Sequence, residues 1–254
     1  MFVIRQAHLD DLSSLLKLAK MVHFINLPAD SEIIRNKIIT SRRSFAGTLE
    51  DPHRRQFLFA LEDTDSGNMI GTSAVVASIS YPGHPHTYLQ VRKREMYSRD
   101  LNTGVVHTTL QFGTDESGWS EIGGLIMAPS YRGHKAKLGA LLSLIRFHYI
   151  GLHREYFSEK IIAEMMAPLT PDSRNTLWEY FGRRFINLSY AEADAFCQHS
   201  KEFITSLMPK EEIHVSLLPA VARQLIGKVG AETEPAKAML ERIGFVYRGH
   251  VDPF

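Results

Sequence analysis

The sequence predicts an α/β layered domain with a mostly helical extension behind it. Three patterns carry that reading: a strand followed by two amphipathic helices, pairs of apolar runs that fold back as hairpins, and a strand–turn–helix crossover leading into a further strand and helix. With 254 residues, 44% of them hydrophobic, the chain can bury a sizeable core in one large or two smaller domains.

Phe2–Ile4 reads as a short strand, and a helix follows from Asp10 or Asp11, either of which can accept the first free backbone N–H groups. Leu12, Leu15, Leu16, Ala19 and Val22 recur at helical spacing and predict one buried face. Asn26-Leu27-Pro28-Ala29-Asp30 reads as a loop, with Asp30 capping a second helix that carries Ile33, Ile34, Ile38 and Ile39. Gln56–Leu61 and Met69–Ser80 are expected strands, joined into a hairpin by the polar turn at residues 63–68. Tyr88–Met96 and Val105–Phe112 form a second candidate pair.

Glu121–Met127 is an apolar strand, Ala128–Gly133 a turn, and a helix runs from about Lys137 with Leu138, Leu141, Leu142, Ile145 and Tyr149 on one face. Strand Lys160–Met166 and helix Ser173–Phe185 follow. The tail is expected as helices Tyr190–His199, Phe203–Met208, Ala220–Ile226 and Ala236–Ile243, then a strand-like Phe245–Val251. Leu177–Gly182 and Leu240–Gly244 echo each other, either as a shared glycine helix end or as a duplicated helix–strand unit. The expected boundary falls between residues 188 and 189.

Charge and cysteine content narrow the function. Lys and Arg total 29 against 28 Asp and Glu, which gives no general case for a nucleic-acid or membrane-surface partner. The single cysteine, Cys197, excludes a disulfide scaffold and any multi-cysteine metal site. The start at Met1-Phe2-Val3-Ile4-Arg5 lacks a signal-peptide layout, and Leu138–Leu152 contains Arg146 and His148, so a cytoplasmic protein without a membrane span is expected.

The chemistry-bearing stretch is residues 121–142. A strand leads through Arg132-Gly133 into a helix start with Lys135 and Lys137, followed by Leu138, Gly139 and Ala140. Free N–H groups at a helix start, the positive end of its dipole and nearby cations suit an anion, and small residues let a phosphate approach. Glu121 opens the strand and is the candidate general base. His214 is a candidate acid, since imidazole titrates near neutrality. His84, His86 and His107 lack metal-ligand spacing, so no metal is expected. Cys197 reads as a buried thiol.

The run Met127–Gly133 with its small-residue helix start, then a strand and a helix, resembles the acyl-CoA N-acyltransferase (GNAT-like) superfamily. Its phosphate loop reads Arg/Gln-x-x-Gly-x-Gly/Ala, where this chain has His134-Lys135-Ala136-Lys137-Leu138-Gly139. A second resemblance spans almost the whole chain. It rests on Val3-Ile4-Arg5, Leu27-Pro28-Ala29, Ser120-Glu121 with Leu125, Gly182-Arg183-Arg184-Phe185, Leu207-Met208-Pro209-Lys210, Ile226-Gly227-Lys228-Val229 and Gly244-Phe245. In these motifs the chain is similar to the arginine N-succinyltransferase family.

That resemblance implies a mixed sheet flanked by helices and transfer of succinyl from succinyl-CoA to the α-amino group of L-arginine, the entry step of an arginine degradation route. Ornithine as acceptor, acetyl-CoA as donor and a non-catalytic CoA-binding subunit are the alternatives. Succinyl-CoA would be a co-substrate, with no resident cofactor, and Leu125 would contact it, beside Met127 and the phosphate loop. The partners implied are an acyl-CoA, a small amino acid and other subunits of a homo- or hetero-oligomer. The family places a histidine directly after Ile-Gly-x-Val, where this chain has Gly230, and continues beyond the position of Phe254.

Overall fold

The computed structural model describes residues 1–21, 27–197 and 200–253. Its strands are β1 (Phe2–Gln6), β2 (Gln56–Asp63), β3 (Asn68–Val76), β4 (His86–Ser98), β5 (Thr103–Asp115), β6 (Ser120–Met127), β7 (Ile161–Ile162), β8 (Ile213–His214) and β9 (His250–Val251). Its helices are α1 (Leu12–Lys20), α2 (Ser31–Phe45), α3 (Leu138–Leu152), α4 (Arg183–Phe185), α5 (Tyr190–Cys197), α6 (Glu202–Leu207), α7 (Ala220–Arg223) and α8 (Glu234–Arg242). They divide into two units, one of Met1–Pro85 with Glu116–Glu164 and one of His86–Asp115 with Met165–Phe254.

The first unit is a sheet in the order β1-β2-β3-β6-β7. Its first four strands are antiparallel and β7 runs parallel to β6. Helices α1 and α2 cover one face, where Leu15, Leu18, Ala19, Ile34 and Ile38 pack with Leu58, Ala60 and Ile126. Successive strand residues point to opposite faces, so Leu61 joins Ile70, Leu138 and Leu142 in the core under α3. Asp30 caps α2 as expected, accepting the N–H groups of Glu32 at 2.8 Å and Ile33 at 2.9 Å. The hydroxyls of Ser41 and Ser44 fasten α2 to β2 by accepting the N–H groups of Leu58 and Gln56.

Several expectations need correction. Asp11 does not cap α1; its carboxylate accepts two hydrogen bonds from Arg5, at 2.7 and 2.8 Å, and one from the His8 N–H. Of the isoleucines that α2 carries, Ile34 and Ile38 are buried and Ile39 is exposed. On α3 Leu141 is exposed and Arg146 takes a buried place beside Leu142 and Ile150. Strand Lys160–Met166 shrinks to β7, because β6 pairs with it only at Ser120↔Ile161 and Glu121↔Ile162. Val22, Asn26 and His199 lie outside the described residues.

The Arg5–Asp11 pair ties β1 to the start of α1, and Glu62 takes the remaining Arg5 Nε at 2.6 Å. Burial raises the Asp11 carboxyl, but the hydrogen bonds from Arg5 and His8 outweigh it and hold the group below the usual carboxylate range. Arg5 keeps 28% of its side chain exposed, so water screens part of the gain. Asp11→Ala is expected to cost about 2 kcal/mol, read as a lower urea midpoint at pH 7. The contribution is complete above the unfolded-state value of about 3.9 and is lost as pH falls through the lower folded value.

The second unit is an antiparallel sheet in the order β8-β5-β4-β9. The β4–β5 hairpin runs in unbroken register from His86↔Asp115 to Ser98↔Thr103. Because β5 pairs with β8 and β4 with β9, this hairpin groups with the C-terminal residues, and the division differs from a single cut at residue 188. The expected helix Ser173–Phe185 starts at Thr176 and widens into a π-turn at Trp178–Gly182 before α4. Trp178 is fully buried and donates its ring N–H to the Leu188 carbonyl at 3.0 Å.

The two echoing glycines do different work. Gly244, at φ 102°, follows α8 in the left-handed region. Gly182 lies inside a helix, and a Cβ there would collide with the Trp178 ring. A shared helix end therefore does not describe the pair. Cys197 ends α5, where burial pushes its thiol up to about 12. Its thiolate fraction at pH 8 is then roughly a thousandfold below that of an ordinary thiol. Iodoacetamide should leave Cys197 unmodified in the folded protein and modify it readily in urea, as read by intact mass. Among the described residues no helix is long and apolar enough to cross a membrane.

Candidate active site

The site is built on β6. Its register against β3 runs from Ala74↔Gly123 to Thr72↔Ile126, which places one extra residue on β6. Gly124 sits in that bulge at φ 58°, a conformation that costs other residues about 1–2 kcal/mol. A few residues earlier, at Glu121, β6 stops pairing with β7. The strand is thus kinked on one edge and unpaired on the other along the same stretch. Leu125 and Met127 lie in this stretch, with side chains packed against the Leu61–Ile70–Leu138–Leu142 cluster. The Leu125 side chain is committed to the core, and its backbone is what remains for a ligand.

The turn after β6 ends at Lys137, which takes a left-handed conformation (φ 50°) and leads directly into α3. The Lys137 N–H is held by the His134 carbonyl at 2.8 Å, and the Ala136 N–H by the His134 ring at 3.1 Å. The N–H groups of Leu138 and Gly139 have no acceptor among the described residues, as expected for the first turn of a helix. A Cβ on Gly133 or Gly139 would meet nothing within 4 Å. Arg132, Lys135 and Lys137 are exposed around this opening, Ala140 is half-buried and Leu138 is buried beneath it. Lys137 therefore extends into solvent and does not fill the approach to the helix start.

A cavity of about 50 Å³ lies on the α2 side of the bulge. Glu121, Gly123 and Gly124 line it from β6, Gln56 and Thr72 from the neighbouring strands, and Lys37 from α2. Burial of the Lys37 ammonium lowers its pKa, and the Glu121 charge opposes that shift. Sequence reasoning missed Lys37. The available signal was its position: Ile34, Lys37, Ile38 and Ser41 share one helical face, so a lysine interrupts an apolar stripe.

From the α3 side, Arg146 donates to the Ser143 carbonyl at 3.0 Å, the Ser143 hydroxyl at 2.6 Å and the Gly123 carbonyl at 3.4 Å. Only 2% of Arg146 is exposed, and burial pulls its guanidinium down to about 10. This buried cation next to the bulge was also missed.

The remaining candidates belong to the second unit. His214 lies in β8 opposite Thr109, with its ring edge-on to His107 at 5.3 Å. Gly230 donates its N–H to the Met166 carbonyl at 2.9 Å, and a Cβ there would sit 3.3 Å from the Ala167 carbonyl oxygen. His86 is buried at the start of β4, and burial lowers its pKa. Among the described residues no group of three or more His, Cys, Asp or Glu side chains is arranged to hold a metal.

The family described as arginine N-succinyltransferase beta subunit matches residues 2–254. The arginine N-succinyltransferase of Yersinia pestis (strain Pestoides F) is 35% identical over 257 residues, covering 100% of this chain and 72% of that protein. The one from Enterobacter sp. (strain 638) is 34% identical over 258 residues, covering 100% of this chain and 74% of that protein. Among solved structures, subunit AI of the arginine/ornithine succinyltransferase of Pseudomonas aeruginosa aligns with a TM-score of 0.84 at 26% identity, over 100% of this chain and 74% of that one. The mixed sheet with flanking helices expected from the sequence is the fold of this succinyltransferase subunit. The chain belongs to the arginine N-succinyltransferase beta subunit family.

Proposed function

We propose that this chain transfers the succinyl group of succinyl-CoA to the α-amino group of L-arginine. The observation that carries the reading is the place where β6 and β7 cease to pair, directly after Glu121 and just before the Gly124 bulge. A thioester laid along that open edge brings its pyrophosphate toward the free N–H groups of Leu138 and Gly139, within reach of Arg132, Lys135 and Lys137. Its carbonyl carbon then lies near Glu121.

Glu121 takes a proton from the α-ammonium, and the neutral amine attacks the thioester carbonyl. A C–N bond forms, the nitrogen gives up its second proton to solvent, the C–S bond breaks, and the electron pair leaves on sulfur. A thiolate is stable enough near neutral pH for solvent to complete its protonation. This route needs no imidazole at position 230. Succinyl-CoA acts as co-substrate, and the family's description as a beta subunit supports assembly with a second subunit. Cytoplasmic location suits both the CoA thioester and the lone Cys197 thiol.

The test is arginine-dependent thiol release from succinyl-CoA, with ornithine and acetyl-CoA in the same panel. Stoichiometric thiol and N-succinylarginine are expected. A rate equal to the arginine-free control overturns the proposal.

A further inference from the structure

We infer that Lys37 and Glu121 together seat the zwitterionic head of an α-amino acid, Lys37 receiving the α-carboxylate and Glu121 the α-ammonium. The inference rests on the succinyl-transfer reading for the acceptor's identity and deepens it, by giving the reason an α-amino group is chosen.

Charge is the first argument. Lys37 and Glu121 line one small cavity whose other walls include Leu27, Phe57, Leu58 and Val76. A cation and an anion side by side in an apolar enclosure suit a ligand that carries both charges on adjacent atoms. A lone carboxylate there would face the Glu121 carboxylate, and a lone amine would face the Lys37 ammonium. The α-amino-acid head, with its two charged groups joined through one carbon, meets both with opposite sign.

Position is the second. Lys37 lies on the face of α2 that packs against the sheet, between Ile34 and Ile38, both fully buried. An apolar side chain would serve packing there, and withdrawing an ammonium from water opposes folding. The Glu121 charge offsets part of that cost in the empty protein, and a ligand carboxylate offsets more of it in the bound state.

Size is the third. The enclosed part of the cavity, about 50 Å³, has room for a few water molecules, on the scale of a head group, and its open side leaves the acceptor's side chain a way out. For a diamine acid such as ornithine, only the amine next to the carboxylate can be seated, so acylation falls on the α-nitrogen.

The test is calorimetric binding of L-arginine and L-argininamide to the full chain at pH 7 with saturating CoA. The amide keeps the side chain and the α-amine but lacks the carboxylate. Wild type is expected to bind L-arginine roughly ten- to hundredfold more tightly than the amide. Lys37→Gln, with a wild-type-like thermal transition, should bring that ratio to about one. Equal binding of the two ligands by wild type overturns the inference without any variant. So does a ratio that Lys37→Gln leaves unchanged, which assigns the lysine a structural role. Thiol release measured on the same samples separates the two claims. Selective binding without release supports the seat and overturns succinyl transfer, whereas release with equal binding overturns the seat alone.

Discussion

Glu121→Gln is expected to lower kcat for arginine-dependent thiol release by about a hundred- to ten-thousandfold, while KM for succinyl-CoA changes little. The substitution keeps the volume and the strand position and removes the carboxylate charge, and with it the ability to take a proton. The thioester's proposed grip lies elsewhere, at the start of α3 and along the open edge of β6, so its binding is untouched. Stopped-flow measurement with a thiol reagent at saturating succinyl-CoA and arginine reads kcat directly, and the half-buried Cys197, its thiol held protonated, should add little background in the folded protein. A loss smaller than tenfold would remove Glu121 from the chemistry.

Arg146→Met is expected to stabilise the protein by about 2–3 kcal/mol at pH 7 and to slow transfer roughly tenfold. Burial lowers this guanidinium from its ordinary value to about 10, and among the described residues its hydrogen bonds go to neutral acceptors on Ser143 and Gly123. The charged form is therefore penalised in the folded state and not in the unfolded one. Because the folded value is the lower, that penalty is complete below pH 10 and is relieved only as pH rises from there toward the ordinary guanidinium value. Methionine fills similar space without a charge. It also releases the Gly123 carbonyl at the bulge, and the loss of positioning there should appear in kcat rather than in KM for succinyl-CoA. A urea midpoint that falls in the variant, with kcat unchanged, would refute both halves.

The elements legible in the sequence are those whose signals are local. The two hairpins, the Asp30 cap, the apolar run of β6 and the start of α3 each follow from residues within one turn or one strand. The features that escaped depend on partners distant in the chain. Asp11 reads as a helix cap until β1 brings Arg5 against it. Arg146 reads only as a charge that interrupts an apolar helix until Gly123 and Ser143 close around it. Residues 160–166 have strand composition, but composition does not say that a neighbouring strand will turn away after two pairs. For the site, the β6–α3 stretch was visible as a motif, whereas the sequence shows Lys37 only as a break in an apolar stripe, and its place beside Glu121 appears only when α2 is laid against the sheet.

The early end of β6–β7 pairing has a thermodynamic side. A sheet with an unfinished seam keeps part of its hydrogen-bonding capacity for a visitor, and a pantetheine arm, with amides along an extended chain, can act as the missing strand. On the proposed reading, loading and tightening are one event: a thioester that completes this edge stabilises the folded protein to a degree set by its supply.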